Sequence, residues 1–245
     1  AKDKNTPFFL YLPYGSPHSP VVPSKEWQGK SGINAYADFV MQNDDSVGQI
    51  LTALEKNGQR ENTLILFSSD NGCSAKDANA KELNKHGHYP SAQYRGYKTE
   101  LWEGGHRVPF LASWPARIKS GSTNNSTICL NDIFATCAEL LGAKTPANSC
   151  EDSVSFLPAL QNLPIPSSRK GIVHHSFWGF FSYRLGDWKL LLARAGGSGG
   201  EKALSKDPTL PKAQLYNLSQ DPTESTNLFE TNPEKANELL GVLEN

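Results

Sequence analysis

The sequence predicts an α/β protein in which part of a mixed sheet, flanked by helices, precedes a small antiparallel sheet with its own helix. Two short apolar runs, at residues 7–13 and 63–67, stand on either side of a segment with helical periodicity. Continuously apolar strands joined through a helix are typical of a sheet covered on both faces. Further along the chain, short strands linked by glycine-containing turns favour antiparallel pairing. We therefore expect a main domain over residues 1–163 and a small C-terminal subdomain over residues 164–245.

The first half of the main domain contains a strand, a helix and a second strand. Residues 7–13, PFFLYLP, form an apolar run bounded by prolines, which is typical of a buried strand. Over residues 33–54 apolar side chains recur at spacings of three and four, which predicts a helix with one apolar face. Asn57 and Gly58 then provide a helix stop. The TLILF run at residues 63–67 is the second predicted strand.

The rest of the main domain contains one more strand and one more helix. Residues 108–114 predict the strand. Apolar positions between Leu130 and Leu141 lie on one helical face, and Gly142 is placed to end that helix.

The C-terminal subdomain is predicted to be an antiparallel sheet followed by a helix. Its short strands are expected at residues 171–177, 181–185 and 188–192. The glycine-rich stretch at residues 195–200 is typical of a flexible loop. The dipeptide at residues 232–233, Asn-Pro, has the composition of a helix start, with asparagine as the cap and proline in the first turn.

Composition excludes several classes of partner. The chain has 245 residues, 38% of them hydrophobic and 20% charged, and a formal net charge of -1. Charge this balanced gives no support for a nucleic-acid partner. No apolar run approaches the roughly 20 residues that a membrane helix needs. The chain opens on polar residues and reaches an apolar run at once, so we expect a longer protein in which this sequence is one part.

The four cysteines do not form a recognisable metal motif. Cys73, Cys129, Cys137 and Cys150 include no C-x-x-C pair, which argues against a structural zinc site. Cys129 and Cys137 fall on one predicted helix, where we expect them to pack. A disulfide between Cys137 and Cys150 is the alternative.

Asp70, Asn71 and Gly72 follow the carboxyl end of the strand predicted at residues 63–67. Ligands of open α/β sheets bind at such strand ends. An adjacent carboxylate and amide carbonyl are hard oxygen donors that suit calcium or magnesium, and a glycine allows the sharp turn that aims both at one point. The alternative interpretation is a simple turn in which Asp70 caps the next segment.

His18 and Lys98 are candidates for binding an anion. His18 lies in the loop after the first predicted strand, where Pro17 and Pro20 restrict the backbone. A histidine held in this way suits anion binding or proton transfer. Lys98 stands in a segment of basic, acidic and glycine residues that leads into a strand, and its ammonium group suits an oxyanion. The alternatives are a surface histidine in a proline loop and a solvated lysine.

Other charged residues have simpler interpretations. Glu103 and Arg107 are expected to form structural ion pairs or backbone contacts. His88, on the glycine loop H-G-H, is expected to face solvent or a substrate rather than a metal ion. His174 and His175 alternate across a predicted strand, so at most one faces any given site, and we interpret both as structural.

Taken in order, these elements closely resemble the type I, formylglycine-dependent sulfatases of the alkaline phosphatase superfamily. They are PHSP at residues 17–20, DSVG at 45–48, ENTLILFSSDNG at 61–72 and RGYKTELWEGGHRVPFLASWP at 95–115. The closing segments DWKLLL and QLYNLSQDPTESTNL are similar to that family's small C-terminal subdomain. The resemblance covers essentially the whole chain and implies that its main sheet is part of an alkaline phosphatase-like sheet.

The resemblance implies that the protein hydrolyses a sulfate ester with a bound calcium ion, magnesium being the less suitable metal. Asp70 and Asn71 match two of the family's calcium ligands. His18 matches the histidine that contacts the sulfate and its bridging oxygen. Lys98 matches the lysine that binds the sulfate and assists the leaving group. His88 occupies a place where related enzymes have substrate contacts.

The sequence departs from the family because no Cys or Ser stands in a C/S-x-P-S-R motif, the source of the family's formylglycine nucleophile. The family's first pair of metal-binding aspartates also belongs to an N-terminal half that is missing here. The chain thus resembles the C-terminal half of an arylsulfatase-like enzyme, and the other half is its expected partner. Alone, we expect it to be inactive, to bind calcium weakly and to expose the apolar surface that the absent strands cover.

Two alternative functions stay open. One is another hydrolase of the superfamily, acting on phosphate diesters or phosphonates, although such enzymes carry more histidine and aspartate ligands for two transition metals. The other is a non-catalytic scaffold chain without the nucleophile. For a sulfatase, the expected substrate is a sulfated small molecule or carbohydrate. The resemblance also implies a periplasmic, secreted or lysosomal location.

Overall fold

The computed structural model describes residues 6–165, 169–198 and 207–243. In chain order the elements are α1 (Ala35–Lys56), β1 (Ile65–Ser68), α2 (Ala80–Lys85), α3 (Glu103–His106), β2 (Phe110–Ser113), α4 (Asp132–Leu141), α5 (Leu157–Leu160), β3 (Ile172–His175), β4 (Phe181–Leu185), β5 (Trp188–Leu191), β6 (Gln214–Asn217) and α6 (Pro233–Leu243). The mixed α/β class predicted from the sequence is confirmed.

The chain divides into two compact units that do not follow a single cut in the sequence. The first unit comprises residues 1–66, 74–90 and 112–116, and the second comprises residues 67–73, 91–111 and 117–245. The domain boundary near residue 163 stays a prediction.

In the first unit, α1 begins and ends as the sequence predicts. The side chain of Asn34 caps the helix by accepting a hydrogen bond from the backbone nitrogen of Ala37 at 3.0 Å. The buried carboxylate of Asp38 accepts from the backbone nitrogens of Gly29 and Ser31, both at 2.7 Å. These hydrogen bonds, those from Ser31 first, lower the pKa of Asp38 below its ordinary value. The preceding loop is therefore fixed to the first turn of the helix.

The strand predicted at residues 7–13 is wrong. Residues 7–15 have no regular secondary structure, and Phe9 and Tyr11 are 79% and 75% exposed. An extended segment becomes a strand only when a second strand satisfies its backbone groups. The two sheets of the described residues contain β1 with β2 and β3 to β6, and neither sheet includes this segment. The apolar run was recognised correctly, but no strand among the described residues pairs with it.

The other predicted elements of the main domain are present in shortened form. β1 and β2 form a two-stranded sheet within the predicted runs. α4 ends at Leu141, and Gly142 adopts the left-handed conformation, φ 62°, that the helix stop requires. All four cysteines are free thiols, so the disulfide between Cys137 and Cys150 does not form.

The second unit contains a four-stranded antiparallel sheet in the order β3-β4-β5-β6. Its first three strands confirm the prediction, whereas β6 was not foreseen. Tyr183, Leu190 and Leu215 are aligned across β4, β5 and β6 on one face of the sheet. This face packs against Ala236 and Leu239 of α6. The helix start is also as predicted, since Asn232 accepts at its side chain from Lys235 N and at its carbonyl from Ala236 N.

The opposite face of this sheet packs against the segment that contains Lys98 and α3. Leu191 of β5 and Tyr216 of β6 form one hydrophobic cluster with Leu101 and Trp102. The sheet is thus covered by α6 on one side and by the segment before β2 on the other. The start of the glycine-rich stretch also packs here rather than staying flexible, because Leu101 N donates to Gly196 O at 2.8 Å. Residues 199 and 200 of that stretch lie outside the described residues.

A buried lysine joins the sheet to α3. Lys189, on β5, is completely inaccessible to solvent. Its Nζ lies 2.9 Å from Glu103 Oε1 and 2.9 Å from Glu224 Oε1, the second contact being an ion pair without hydrogen-bond alignment. Glu103 also pairs with Arg107 at 3.2 Å and with Arg184 at 3.3 Å, which confirms its expected structural role.

The pKa shifts of the two carboxyl groups differ in sign. Burial by itself raises the pKa of Glu103, but the charges of Lys189 and Arg184 outweigh burial and lower it to about 2. For Glu224 burial prevails over Lys189, and the pKa is raised. Glu103 is therefore the principal counter-ion of Lys189.

Two histidines complete this cluster. His106 Nε2 lies 3.0 Å from Lys189 Nζ, and the rings of His106 and His174 are 3.9 Å apart. Burial lowers the pKa of His174 to about 4, and the neighbouring Lys189 charge adds to the effect. Burial, again followed by Lys189, lowers the pKa of His106 well below its ordinary value. Both rings are therefore neutral at pH 7.

Replacing the buried lysine should destabilise the protein strongly. We expect Lys189→Met to lower the free energy of unfolding by about 3–5 kcal/mol, because Glu103 loses its main counter-ion inside the protein. Lys85 provides the control, since it pairs with Glu82 at 3.1 Å but its side chain is 73% exposed. Lys85→Met should cost less than about 1 kcal/mol. Urea unfolding of the complete protein measures both, and equal losses would contradict the assignment.

Acid should destabilise the same cluster in a defined pH window. His174 has a pKa of about 4 in the folded protein, against about 6.5 in an unfolded chain. Between these two values the unfolded chain binds more protons than the folded protein. The contribution of His174 to stability is therefore fully present above pH 6.5 and is lost as the pH falls towards 4, a loss of about 3 kcal/mol. The free energy of unfolding, measured from pH 4 to 8, should depend less steeply on pH in His174→Asn than in wild type. An unchanged slope would refute this.

Candidate active site

The five candidate site residues are distributed over both units. His18 and His88 belong to the first unit, whereas Asp70, Asn71 and Lys98 belong to the second.

Asp70 and Asn71 follow directly on β1, as the sequence predicts. Asn71 Nδ2 donates a hydrogen bond to Asp70 Oδ1 at 3.1 Å, which holds the two side chains next to one another. Asp70 is exposed and Asn71 is half-buried. Within the described residues, neither the second carboxylate oxygen nor the amide oxygen of Asn71 receives a hydrogen bond, so both are open to a cation.

Gly72 brings this loop into direct backbone contact with α3. Its nitrogen donates to Gly105 O at 2.9 Å, and a Cβ on Gly72 would lie only 1.9 Å from Gly104 O. A Cβ on Gly104 would in turn lie 2.2 Å from Gly96 O. These glycines are required because three backbone segments approach more closely than any side chain permits. The D-N-G motif at residues 70–72 and the E-G-G motif at residues 103–105 thus form one backbone contact.

Lys98 occupies the corner of a tight turn that is bonded to the same loop. Glu100 N donates to Tyr97 O at 3.1 Å, which leaves Lys98 and Thr99 in the two central positions. Lys98 N donates to Cys73 O at 2.9 Å. The Lys98 ammonium group has no hydrogen bond or ion pair with any residue that the structure describes. Its charge is therefore available to an external anion.

Thr99 was not recognised as a special residue in the sequence. Its φ of 82° lies in the left-handed region, which is unusual for a β-branched residue. The third position of a type II turn requires positive φ and normally holds glycine. Strain of this kind persists only where the surroundings fix the backbone, and here the contacts of Lys98 N and Glu100 N do so.

The oxygen donors fit part of a calcium shell. Calcium takes six to eight oxygen ligands with flexible geometry, and Asp70 and Asn71 supply two adjacent hard donors of the appropriate type. Over residues 6–165, 169–198 and 207–243, no group of three or more His, Cys, Asp or Glu side chains is arranged to hold a metal ion. The described residues thus provide a partial site, with a free cation on the neighbouring turn.

His18 is exposed and has one ring nitrogen fixed. His18 N donates to Gly15 O at 3.1 Å, and its Nδ1 lies 2.8 Å from Ser19 O, so Nδ1 carries the proton and Nε2 stays open. Asp77 is a neighbour that sequence reasoning missed. Hydrogen bonds from Ser19 and Ser74, followed by the charge of His18, lower the pKa of Asp77. An ionised carboxylate therefore lies beside this imidazole.

His88 is exposed just after α2, and only its backbone is fixed, by a hydrogen bond from His88 N to Leu83 O at 3.0 Å. His86 interacts with Glu82 at 3.4 Å along the helix. The two histidines of the H-G-H loop therefore have different surroundings.

These features define a mixed α/β protein with a carboxylate–amide pair and a lysine turn joined after a strand. Comparison with known proteins agrees with this class: the profile of the sulfatase family matches residues 1–143. The chain belongs to the sulfatase family, and its fold is the alkaline phosphatase-like fold of these proteins.

Two curated relatives are similar over almost the whole chain. An N-acetylgalactosamine-6-O-sulfatase of Bacteroides thetaiotaomicron is 33% identical over 98% of this chain and 47% of its own length. The steryl-sulfatase of Homo sapiens is 30% identical over 99% of this chain and 44% of its own length. The chain therefore spans about half the length of the curated relatives it matches.

Solved structures show the same relation. A Bacteroides thetaiotaomicron sulfatase from a study of glycosaminoglycan metabolism superposes with a TM-score of 0.85 at 32% identity, covering 98% of this chain and 50% of that one. Ps i-CgsB in complex with k-i-k-neocarrahexaose gives a TM-score of 0.80 at 28% identity, covering 99% of this chain and 50% of that one.

The close backbone contact at Gly72 can be tested with a matched glycine. We expect Gly72→Ala to lower the free energy of unfolding by about 1–3 kcal/mol or more, because the new Cβ meets fixed backbone. A Cβ on Gly48, in the middle of α1, meets nothing within 4 Å. Gly48→Ala should therefore stabilise by about 0.5–1 kcal/mol. Thermal unfolding of the complete protein compares the two, and a tolerated Gly72→Ala would disprove the contact.

Proposed function

We propose that the complete protein containing this chain hydrolyses sulfate esters. The observation that carries the proposal is the pair of backbone hydrogen bonds, Gly72 N to Gly105 O and Lys98 N to Cys73 O, both 2.9 Å long. They hold the oxygen donors of Asp70 and Asn71 and the free cation of Lys98 on adjoining segments. A sulfate ester carries an anionic head group. A metal ion held by hard oxygen donors, together with the ammonium group of Lys98, suits its recognition. Membership of the sulfatase family supports the same reaction.

Asp70 and Asn71 are the proposed calcium ligands of this chain. Calcium at this place would act as a Lewis acid that polarises the sulfuryl oxygens. Magnesium fits less well because it demands near-ideal octahedral geometry, whereas a carboxylate next to an amide on an exposed loop suits a flexible shell. The other ligands and the formylglycine nucleophile are proposed to come from a segment outside this sequence, in line with the doubled length of the relatives.

Lys98 and His18 are the proposed catalytic residues. The Lys98 ammonium group binds a sulfuryl oxygen and helps to stabilise the charge that develops on the leaving oxygen as its bond to sulfur breaks. His18 acts in its doubly protonated form, in which the open Nε2 donates a hydrogen bond or a proton to the leaving oxygen. His88 is the proposed substrate contact.

The segment outside this sequence is also the proposed structural partner. Residues 8–12 are apolar and between 45% and 79% exposed. Pairing with further strands would satisfy their backbone and bury their side chains. The proposed substrate is a sulfated carbohydrate, because one relative is an N-acetylgalactosamine-6-O-sulfatase and one structural neighbour was solved with an oligosaccharide. Periplasmic, secreted or lysosomal location stays a prediction.

Substitution of Asp70 or Lys98 tests the reaction. In the complete protein, Asp70→Ala and Lys98→Ala should each lower kcat for a sulfate ester by about 10²–10³-fold or more, because each removes a group that stabilises developing charge. Asp44→Ala, at an exposed position on α1, is the matched control and should keep full activity.

Two further measurements make this test specific. Chelation by EGTA should abolish activity, calcium should restore it, and the restoration should need more calcium in Asn71→Ala. A panel of sulfate and phosphate esters should show turnover of the sulfates. Near-normal turnover by Asp70→Ala with circular dichroism unchanged, or hydrolysis of the phosphates alone, would refute the assignment.

A further inference from the structure

The turn between β3 and β4 presents two aromatic rings from a fixed backbone. Ser176 N donates to Phe180 O at 2.9 Å, Gly179 N donates to Ser176 O at 3.0 Å, and Phe180 N donates to Ser176 Oγ at 3.2 Å. Ser176 is only 2% exposed. The turn is therefore a closed, hydrogen-bonded unit, and the side chains at its tip start from a defined backbone.

Phe177 and Trp178, at the tip of this turn, are the exposed aromatic pair. They are 74% and 55% exposed, while the neighbouring Phe180 packs against the hydrophobic cluster below. Their ring centroids are 5.6 Å apart, and the rings meet edge to face at 84°. This arrangement holds the two rings together and leaves ring surface open to a ligand. Such adjacent exposed aromatic side chains are typical of binding surfaces.

The aromatic turn is bonded directly to the lysine turn. Phe177 N donates to Thr99 O at 3.2 Å, and Thr99 is the residue after Lys98. The aromatic pair and the free ammonium group thus start from backbone positions that are joined by one hydrogen bond. His175 lies beside them, with its Nδ1 bonded to Ser176 O at 2.8 Å and its Nε2 open. The backbone positions that carry the ring surface, the cation and a hydrogen-bonding group are therefore adjacent.

We propose that Phe177 and Trp178 form a platform on which the sugar ring of a sulfated saccharide stacks while Lys98 binds its sulfate group. This inference rests on the proposed function and deepens it. A pyranose ring has an apolar C–H face and a rim of hydroxyl groups, so it matches aromatic surface bordered by polar groups.

The platform separates two parts of substrate recognition. Lys98 contacts the reacting group, whereas the aromatic pair binds a part of the substrate that does not react. Binding energy from such remote parts orients the ester for reaction. The aromatic side chains have few rotatable bonds and a hydrogen-bonded backbone, so little conformational entropy is lost when the sugar binds.

Two competitive inhibitors separate the contributions of the platform and of Lys98 in the complete protein. The first is desulfated N-acetylgalactosamine, which offers only a sugar ring, and the second is inorganic sulfate. In Trp178→Ala the inhibition constant of the sugar should rise about tenfold, while that of sulfate should change by less than about twofold. Phe177→Ala should follow the same pattern more weakly, and Trp178→Phe should recover most of the affinity. Lys98→Ala should show the reverse pattern.

Val173→Ala is the matched control. Val173 is 54% exposed on β3, the strand that leads into the same turn, but it is not part of the aromatic pair. Its removal should leave both inhibition constants unchanged. Sugar affinity that is unaffected by Trp178→Ala would overturn the proposal. A parallel loss of sulfate and sugar affinity would also overturn it, because that result shows a general structural role.

Direct binding distinguishes failure of the platform from failure of the proposed function. Titration with desulfated N-acetylgalactosamine should change the tryptophan fluorescence of wild type but not that of Trp178→Phe. This measurement needs no turnover, so it tests the platform even if no sulfate ester is hydrolysed. Two results would contradict the proposal: protection of Trp178 from acrylamide quenching without ligand, which means that another protein segment covers it, or a dimer that Trp178→Ala dissociates.

Discussion

The ion pair between Lys189 and Glu103, 2.9 Å long and fully buried, is the constraint on which the candidate site depends. Lys189 projects from β5, and Glu103 opens α3, the helix that contains the glycines facing Gly72. Because either charge alone would be costly inside the protein, the sheet and α3 must keep their relative register. The loop that carries the proposed metal ligands is then located by its backbone contact with α3. The charge of Lys189 in the four-stranded sheet therefore helps to position the loop at residues 70–72, more than a hundred residues earlier in the chain.

This network contributes more to specificity of structure than to stability. Buried ion pairs often add little net stability, since desolvation offsets their attraction. Burial in this cluster favours the neutral forms of its ionisable groups. It raises the pKa of Glu224 and lowers the pKa values of His106 and His174, whose rings are neutral. A hydrophobic contact would tolerate sliding of α3 along the sheet, whereas a carboxylate with several directed partners does not. The close backbone contact between Gly72 and α3 requires that α3 does not slide, because the two backbones leave no space for a Cβ atom.

The sequence predicted those features that depend on local pattern. Helical periodicity located α1, and short runs joined by glycine turns located β3 to β5. Motif order gave Asp70, Asn71 and Lys98 as site residues, which stay predictions. It could not predict what depends on distant partners. Residues 7–13 have the composition of a strand, but a strand exists only when a second one pairs with it. Asp77 was missed because only the folded loop brings it to His18.

The turn at Tyr97–Glu100 explains why the site tolerates a strained threonine. Lys98 N is bonded to the loop of the oxygen donors, and Thr99 O is bonded to the aromatic turn. Two consecutive residues thus connect the proposed chemistry on one side with the proposed sugar platform on the other. Since Thr99 contributes only its carbonyl oxygen, the aromatic turn can change its side chains without moving Lys98. In this proposal, recognition of the sugar is therefore separable from binding of the sulfate group, and both backbone contacts are made around Thr99, whose φ is positive.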